Sequence, residues 1–506
     1  MKKENDVISI NGKKFTLESK LGGGTEGTVF SIVEDSRIVV KILDESKMTE
    51  NQRKETYDRL VWLKELGHRN EDIRKNMAIP LGLLDDELGY AMRRASDHEV
   101  LDNYIPEILP ENFDEWYKNE YTLKRRYQII VNLFRTLRMV HLSGLIFTDL
   151  SPNNIVVHKS KNQIGFIDTD NIRKRTDYYL GVLGTPGYMA PELYLKDNRE
   201  LENNSNNRSK TSECGIITVE SDIFSAAIIA FKLLTLQHPF VGDKYDEGPA
   251  SELEEALQIK SDYIFKKNTT NSSTYGLTIK YDELTTPEVR ELFHRTFVDG
   301  KDNPYLRPTD EEFIEVFQKA LDLIVTCDKC GFSRLLSMEN NNSCINCNEM
   351  YEKKVVMRIY NEFENVTREE LINSIDPNEP RYDVSDENLI GVDDKASSNR
   401  FEICKIVLGK GEKNNKFLYP RHFEKGNDLS KPWLSIYLNE NLEEIVVKKL
   451  NDAFELITII NTKEGYVRNL ELEKAKAFKY HNHKIVFESK SYNGIKMMIV
   501  AEFEEV

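Results

Sequence analysis

Nowhere in the 506 residues is there a run of about eighteen apolar side chains, the length that crosses a bilayer. The opening MKKENDVISI also follows its lysines with no apolar stretch. A soluble, cytoplasmic protein is the expectation. Cysteine is scarce: six residues in so long a chain are too few for a disulfide scaffold, and four of them fall in two Cys-x-x-Cys pairs that suit metal binding in a reducing compartment. An excess of positive charge is missing too. With 69 Lys and Arg against 85 Asp and Glu, the net charge of −16 argues against a general nucleic-acid or anionic-membrane binder. The local basic run Lys124, Arg125, Arg126 sits on an expected helix and reads as a solvated face.

What the chain does have is enough apolar content, 40%, for packed cores, and a length that divides into two or three domains. Residues 14 to 43 read as short alternating strands broken by glycines, and 47 to 66 as a helix with Tyr57, Leu60, Val61 and Leu66. Helical spacing continues from Glu115 to Leu142 and from Ile223 to Leu236, so strands precede helices. The polar stretches Lys196 to Ser212 and Lys266 to Thr274 read as loop insertions. Beyond a polar region around Asn373 to Arg400, the segments IVVKKL (445–450), ELITII (455–460), KIVFES (484–489) and KMMIVAEF (496–503) read as strands.

Phosphoryl transfer needs a backbone cradle for phosphates, a cation on their oxygens, oxygen ligands for a metal and an acceptor for a hydroxyl proton. Gly22-Gly23-Gly24-Thr25-Glu26-Gly27-Thr28-Val29 fits G-x-G-x-x-G-x-V between two expected strands, where Gly22, Gly23, Gly24 and Gly27 let the backbone approach phosphate and Val29 can cap an adenine. A simple glycine turn is the competing reading. In Arg37 to Leu43 one lysine, Lys41, stands inside an apolar run, and a buried ammonium needs a partner. Glu55 on the following helix is the expected carboxylate, with Glu50 as second choice. The loop Phe147-Thr148-Asp149-Leu150-Ser151-Pro152-Asn153-Asn154 carries an Asp that can accept a hydroxyl proton and an Asn that can hold Mg²⁺. After the apolar Ile164 to Ile167 comes Asp168, placed to bind the same class of cation, and then Thr169-Asp170.

These residues resemble the eukaryotic-like protein kinase family over roughly residues 14 to 325. Gly184-Thr185-Pro186-Gly187-Tyr188-Met189-Ala190-Pro191-Glu192 is similar to the segment that closes that family's activation loop. Ser221-Asp222-Ile223-Phe224-Ser225 resembles the helix start whose Asp anchors the catalytic loop, and Leu306-Arg307-Pro308-Thr309 supplies the Arg that pairs with the Glu192 position. Met77 to Leu81 and Leu88 to Arg94 look like the bacterial branch, with Met92 guarding the nucleotide pocket. The resemblance implies an α+β, bilobal fold, with an N-lobe of about 8–95 and a C-lobe of about 96–325. It implies a Ser/Thr protein kinase using ATP and Mg²⁺ on protein substrates, with self-association for autophosphorylation, in bacterial stress or phage-defence signalling. The catalytic positions are Lys41, Asp149, Asn154 and Asp168; Thr185 favours Ser/Thr acceptors. A small-molecule kinase is disfavoured by the GTPGYMAPE segment and Arg307, and a pseudokinase scaffold is the alternative.

Three family positions differ. Phe147-Thr148 stands for His-Arg, Ser151 for Lys, and Thr169-Asp170 for Phe-Gly. Without the arginine, a phosphate on Thr176, Tyr178 or Thr185 has no partner at that place. Asp170 is a candidate to share the second metal.

Cys327-x-x-Cys330 and Cys344-x-x-Cys347 are separated by thirteen residues (331–343) with a polar MENNNS tip. Two such knuckles fit four thiolates around structural Zn²⁺ in a ribbon of residues 326–350, with redox pairs or a rubredoxin-like iron site as alternatives. Cys214 and Cys404 look unpaired. Residues 351–506 are expected to form a mainly-β domain that weakly resembles a forkhead-associated sandwich near Ile457 to Glu488.

Overall fold

In a computed structural model, the protein is described at residues 2–23, 27–106, 109–175, 184–193, 217–243, 261–273, 279–327, 329–336, 343–344, 346–349, 354–364, 398–411, 415–423, 432–450, 456–472, 475–492 and 495–505. Two compact units divide the chain, residues 1–318 and 319–506.

The first unit opens on an antiparallel sheet. Strands β1 (Val7–Ile10), β2 (Lys13–Gly23), β3 (Gly27–Ile32), β4 (Ile38–Leu43), β5 (Gly82–Leu83) and β6 (Gly89–Arg93) pair in the order β1-β2-β3-β4-β6-β5. Side chains alternate faces along a strand. On β4, Val40 joins Ile8, Leu17, Phe30 and Ala91 on one face, whereas Val39 and Leu43 join Leu60, Tyr90 and Met92 on the other. Lys41 shares the parity of Val39 and Leu43, so it points to the side that helix α1 (Glu50–Arg69) covers with Leu60. Thr49 and Gln52 start α1 with a capping box: Gln52 N donates to Thr49 Oγ1 at 3.3 Å and Thr49 N to Gln52 Oε1 at 2.9 Å. The helix therefore begins three residues later than expected and runs to Arg69.

Helix α2 (Glu71–Asn76) and strand β7 (His98–Val100) lead into the helical part. The helix expected over 115–142 is two, α3 (Phe113–Asn119) and α4 (Leu123–Leu142). The break has a local cause: Thr122 Oγ1 accepts Arg125 N at 3.1 Å and starts α4 afresh. Arg126, fully buried, lies over the Tyr117 and Tyr121 rings at 4.7 and 4.4 Å and donates to Leu234 O at 2.7 Å.

Strands β8 (Leu145–Ile146), β9 (Ile155–His158), β10 (Ile164–Phe166) and β11 (Arg173–Lys174) form two small sheets: β9 pairs with β7 and β10, and β8 with β11. Helix α5 (Val219–Thr235) is buried on nearly every side, as a run with Ile223, Phe224, Ile228, Phe231 and Leu234 demands. Helices α6 (Pro287–His294) and α7 (Asp310–Asp322) follow, and the boundary between the units falls within α7. Of the two expected insertions, 196–212 lies outside the described residues. Residues 266–273 carry no helix or strand, yet Asn271 is buried and donates to Phe240 O at 2.9 Å and Asp262 O at 2.8 Å, so this loop is pinned by backbone carbonyls.

After the end of α7 the second unit continues into a hairpin, β12 (Ile324–Thr326) and β13 (Ser333–Leu335). Strands β14 (Val355–Glu364), β15 (Ser398–Leu408), β16 (Lys416–Leu418), β17 (Leu434–Leu438), β18 (Glu444–Lys449), β19 (Leu456–Asn461), β20 (Val467–Glu471), β21 (Lys476–Lys479), β22 (His483–Tyr492) and β23 (Ile495–Glu505) make two antiparallel sheets, ordered β15-β14-β23-β22-β19-β20 and β16-β17-β18-β21. One core joins them, with Met357, Ile406, Ile459 and Ile499 from the first sheet and Leu434, Ile436, Ile445 and Val447 from the second. Cys404 is buried in this core. No helix among the described residues is long and apolar enough to cross a membrane.

Arg307 ties the helical part together. Its guanidinium grips Glu192 with two bonds of 2.7 and 2.8 Å, donates to Glu220 O at 2.9 Å and Gly300 O at 2.8 Å, and lies 4.7 Å over the Phe224 ring. Breaking a buried pair from one side leaves the other charge uncompensated and costs about 3 to 5 kcal/mol. Arg307→Ala should lower stability by that amount in denaturant unfolding, whereas Arg307→Ala with Glu192→Ala should lose less than the sum of the single changes; strict additivity speaks against the coupling.

Candidate active site and cysteine cluster

The β9–β10 hairpin assembles the site. Ile155 opposes Phe166 in register, so Asn154, just before β9, and Asp168, two residues past β10, emerge at the same end; Ile167 N donates to Asn154 O at 2.9 Å. Asn154 Nδ2 in turn donates to Asp149 O at 2.9 Å and to Asp149 Oδ2 at 3.2 Å. Thr185 Oγ1 donates to the other carboxylate oxygen, Asp149 Oδ1, at 2.7 Å. Each oxygen of Asp149 thus accepts one hydrogen bond, which fixes the plane of the carboxylate.

The loop bearing Asp149 hangs from α5. The buried Asp222 carboxylate accepts Phe147 N at 2.6 Å and Thr148 N at 3.0 Å. His141 of α4 bridges Asp222 Oδ2 at 3.2 Å and Asp310 Oδ2 at 2.6 Å. Thr148 has φ 73° and Asp168 φ 57°, left-handed values that side chains other than glycine adopt at a cost of roughly 1 to 3 kcal/mol. Thr148 Oγ1 donates to Asn171 O at 3.0 Å, and Thr169 Oγ1 to Ala78 O at 2.9 Å. The two residues that replace Arg and Phe of the family pattern are both engaged with backbone carbonyls.

Lys41 Nζ donates to Asp168 Oδ1 and to Asp170 Oδ1 and Oδ2, the last two at 2.8 and 2.9 Å. Burial pushes the lysine's pKa down, but the two aspartates outweigh it and hold it raised. Burial, then the adjacent Asp170 charge, pushes the Asp168 carboxyl up to about 7. Against the same burial, Lys41 keeps Asp170 lowered. The expected partner of Lys41 is corrected here: Glu55 and Glu50 are both exposed on α1, and the carboxylates that reach the ammonium come from the Asp168 loop.

The glycine strand ends flank the site. Gly22 and Gly23 oppose Val29 and Thr28, and Val29 opposes Lys41. Gly24 lies outside the described residues with Thr25 and Glu26, as do Thr176, Tyr178 and Cys214. At Gly27 a Cβ would stand 2.5 Å from Ile42 O, so only glycine lets β3 approach β4 this closely. Val29 and Met92 both pack with Tyr90 and Leu60 on the face that Lys41 shares. Sequence reasoning missed Arg59 of α1, whose Nε donates to Asp170 O, and His141. An arginine on a helix carries no signal of what it faces; His141, seven residues before Thr148 on an otherwise apolar helix face, was open to notice.

In the second unit the cysteines converge. Cys327 Sγ lies 3.7 Å from Cys347 Sγ and Cys330 Sγ 3.6 Å from Cys344 Sγ, and all four sulfurs fall within 4.8 Å of one another. A zinc tetrahedron with bonds of about 2.3 Å has sulfur–sulfur edges of about 3.8 Å, so the donor set fits that ion in type and spacing. Gly331, at φ 74°, and Asn348, at φ 56°, turn the two knuckles, where Gly331 N donates to Cys327 O at 2.9 Å and Asn348 N to Cys344 O at 2.8 Å. Asn346 Nδ2 donates to Cys330 Sγ at 3.6 Å.

A family description, "Protein kinase domain", matches residues 15–322, more than half of the chain. The chain belongs to the protein kinase family. Among curated proteins the kinase is similar to the dual specificity protein kinase TTK of Mus musculus, 23% identical over 250 residues that cover 47% of this chain and 26% of that protein. It is 26% identical over 200 residues to the stress-activated protein kinase JNK of Suberites domuncula, 38% of this chain and 50% of that one. With the probable serine/threonine-protein kinase irlC of Dictyostelium discoideum it shares 25% over 256 residues, 48% of this chain and 16% of that protein. The chain therefore spans between about a sixth and a half of the length of these relatives.

The His141 bridge makes the kinase unit's stability depend on pH. Burial lowers the imidazole's affinity for a proton, but the bonds to Asp222 and Asp310 outweigh it and raise its pKa from 6.5 to about 9. A raised pKa contributes stability that is complete below pH 6.5 and lost as pH climbs through about 9, on the order of 3 kcal/mol. The unfolding midpoint should fall across that window in the wild type and stay nearly level in His141→Gln; a wild type that holds level refutes the assignment.

Proposed function

We propose that this chain is an ATP-dependent protein kinase that phosphorylates serine or threonine hydroxyls of protein substrates, its own included. The observation that carries the reading is the meeting of Lys41, Asp149, Asn154 and Asp168 at one end of the β9–β10 hairpin, with Asp149 held at both oxygens. Asp149 accepts the substrate hydroxyl's proton or orients that hydroxyl, and its fixed plane keeps the acceptor lone pair in one direction. Lys41 binds phosphate oxygens of the nucleotide, while Gly22, Gly23, Gly24 and Gly27 let the loop backbone close over them and Val29 and Met92 line the adenine side. With Nδ2 of Asn154 turned to Asp149, its amide oxygen is the ligand atom it offers. That oxygen and the half-exposed Asp168 carboxylate form a hard-oxygen pair that would hold Mg²⁺, which when bound neutralises charge on the phosphate oxygens.

Serine/threonine preference is supported by Thr185, whose hydroxyl sits on Asp149, and by the similarity to irlC, a probable serine/threonine-protein kinase. A bacterial source and a stress or phage-defence role rest on resemblance alone. The second reading is a scaffold that binds nucleotide without turnover, favoured by Ser151, which leaves no lysine two residues after Asp149. Transfer of labelled γ-phosphate to the protein itself and to a basic protein decides: wild type should label both, and Asp149→Asn should lose at least about a hundredfold in rate. Binding of ATP with no label on either protein would support the scaffold.

For the second unit, we infer that residues 326–350 form a structural zinc ribbon with Cys327, Cys330, Cys344 and Cys347 as ligands, followed over 351–506 by a mainly-β domain with a weak likeness to a forkhead-associated sandwich near Ile457 to Glu488. Closed Cys₄ sites contribute folding energy and offer no open position for catalysis. Protein purified without added metal should carry one zinc per chain by elemental analysis, and Cys330→Ser should carry much less; iron in the wild type instead would replace the zinc assignment.

A further inference from the structure

A buried ammonium must be matched by an anion before any nucleotide arrives. Helix α1 does not provide one. Its four acids, Glu50, Glu55, Asp58 and Glu65, are all exposed, and its inward face carries Thr56, Leu60 and Leu63 with Arg59 half-buried beside them. The match comes from Asp170, whose two carboxylate oxygens stand 2.8 and 2.9 Å from Lys41 Nζ and whose side chain is 5% exposed.

Asp170 is itself held in place. Arg59 Nε donates to its carbonyl oxygen, and the Arg59 guanidinium is steadied by Thr56 Oγ1 at 3.3 Å. One residue earlier, Thr169 Oγ1 donates to Ala78 O at 2.9 Å, and Ala78 N donates to Phe166 O at 2.8 Å. The backbone that presents the carboxylate is thus bonded on two sides, to α1 and to the segment after α2. A carboxylate so placed gives the lysine one orientation.

We propose that Asp170 is the positioning residue for Lys41, supplying from the loop after β10 the carboxylate that α1 lacks. The inference rests on the kinase reading above. An ammonium has three protons to donate. Asp170 engages Nζ with both oxygens from a nearly closed environment, whereas Asp168, the other acceptor, has a side chain that is 38% exposed. A nucleotide phosphate therefore competes with Asp168 for Lys41, and Asp170 keeps its hold. Strand β4, helix α1 and the Asp168 loop are coupled through this one residue, its carboxylate on Lys41 and its carbonyl on Arg59, and a shift of α1 reaches the lysine through Arg59.

The competing role for Asp170 is that of a second metal ligand, and nucleotide binding without metal separates the two. The affinity of the full chain for a fluorescent ATP derivative is measured in EDTA and again with Mg²⁺, for wild type, Asp170→Asn, Glu55→Gln and Lys41→Met. Positioning predicts that Asp170→Asn weakens binding about tenfold in EDTA, and that adding it to Lys41→Met weakens binding no further. Loss that appears only with Mg²⁺ overturns the proposal, as does the loss appearing in Glu55→Gln with Asp170→Asn behaving as wild type. If Asp170→Asn does not fold, Lys41→Met is compared with Lys41→Met/Asp170→Asn, in which no charge is buried alone. Equal affinity supports positioning; weaker binding in the double variant overturns it. A wild type that binds no nucleotide removes the kinase reading and this inference with it, whereas binding without phosphoryl transfer removes only the catalytic reading.

Discussion

The loop that carries Asp149 hangs on one buried carboxylate. Asp222 accepts two consecutive backbone N–H groups from the loop that carries Asp149, and it lies where water cannot reach it. Such a group has to be matched, and His141 matches it from α4 while holding Asp310 of α7 with its other nitrogen. Three helices that are far apart in sequence therefore meet at a single imidazole. The strained Thr148 lies between this anchor and Asp149, so the anchor fixes where the kink falls and hence where the carboxylate points.

Much of this was legible in the residues. The lysine inside an apolar strand, the Asp and Asn on one loop and the Asp after the next strand are local signals, and the structure joins them through a hairpin whose two strands are nearly adjacent in sequence. Two kinds of feature were not legible. The first is orientation around a helix, where one residue is about 100° of turn. Glu55 and Thr56 are neighbours in sequence, yet one faces water and the other the interior, and nothing in the spacing of the acids decides which. The second is punctuation inside an apolar pattern. The expected single helix over 115–142 keeps its periodicity through Tyr121, but the Thr122 cap interrupts the backbone.

The second unit divides in the same way. Four cysteines in two close pairs announce their own convergence, because a Cys-x-x-Cys turn already sets two sulfurs side by side and only the meeting of the pairs is left to the fold. The strands were readable one at a time from their alternation. Their order was not, since β14 lies between β15 and β23, the last of the described strands, and such pairings are decided by which apolar faces find each other.

Thr148 and Asp168 hold left-handed backbone angles on either side of the candidate site, and neither is a glycine. Hydrogen bonds hold the chain at both kinks, from Thr148 N to Asp222 and from Thr169 Oγ1, next to Asp168, to Ala78 O. Robustness and chemistry therefore draw on the same residues. A lineage selected for thermal endurance alone would find easy gains by relaxing either kink, and each gain would turn Asp149 or Asp168 away from the partners that now hold it.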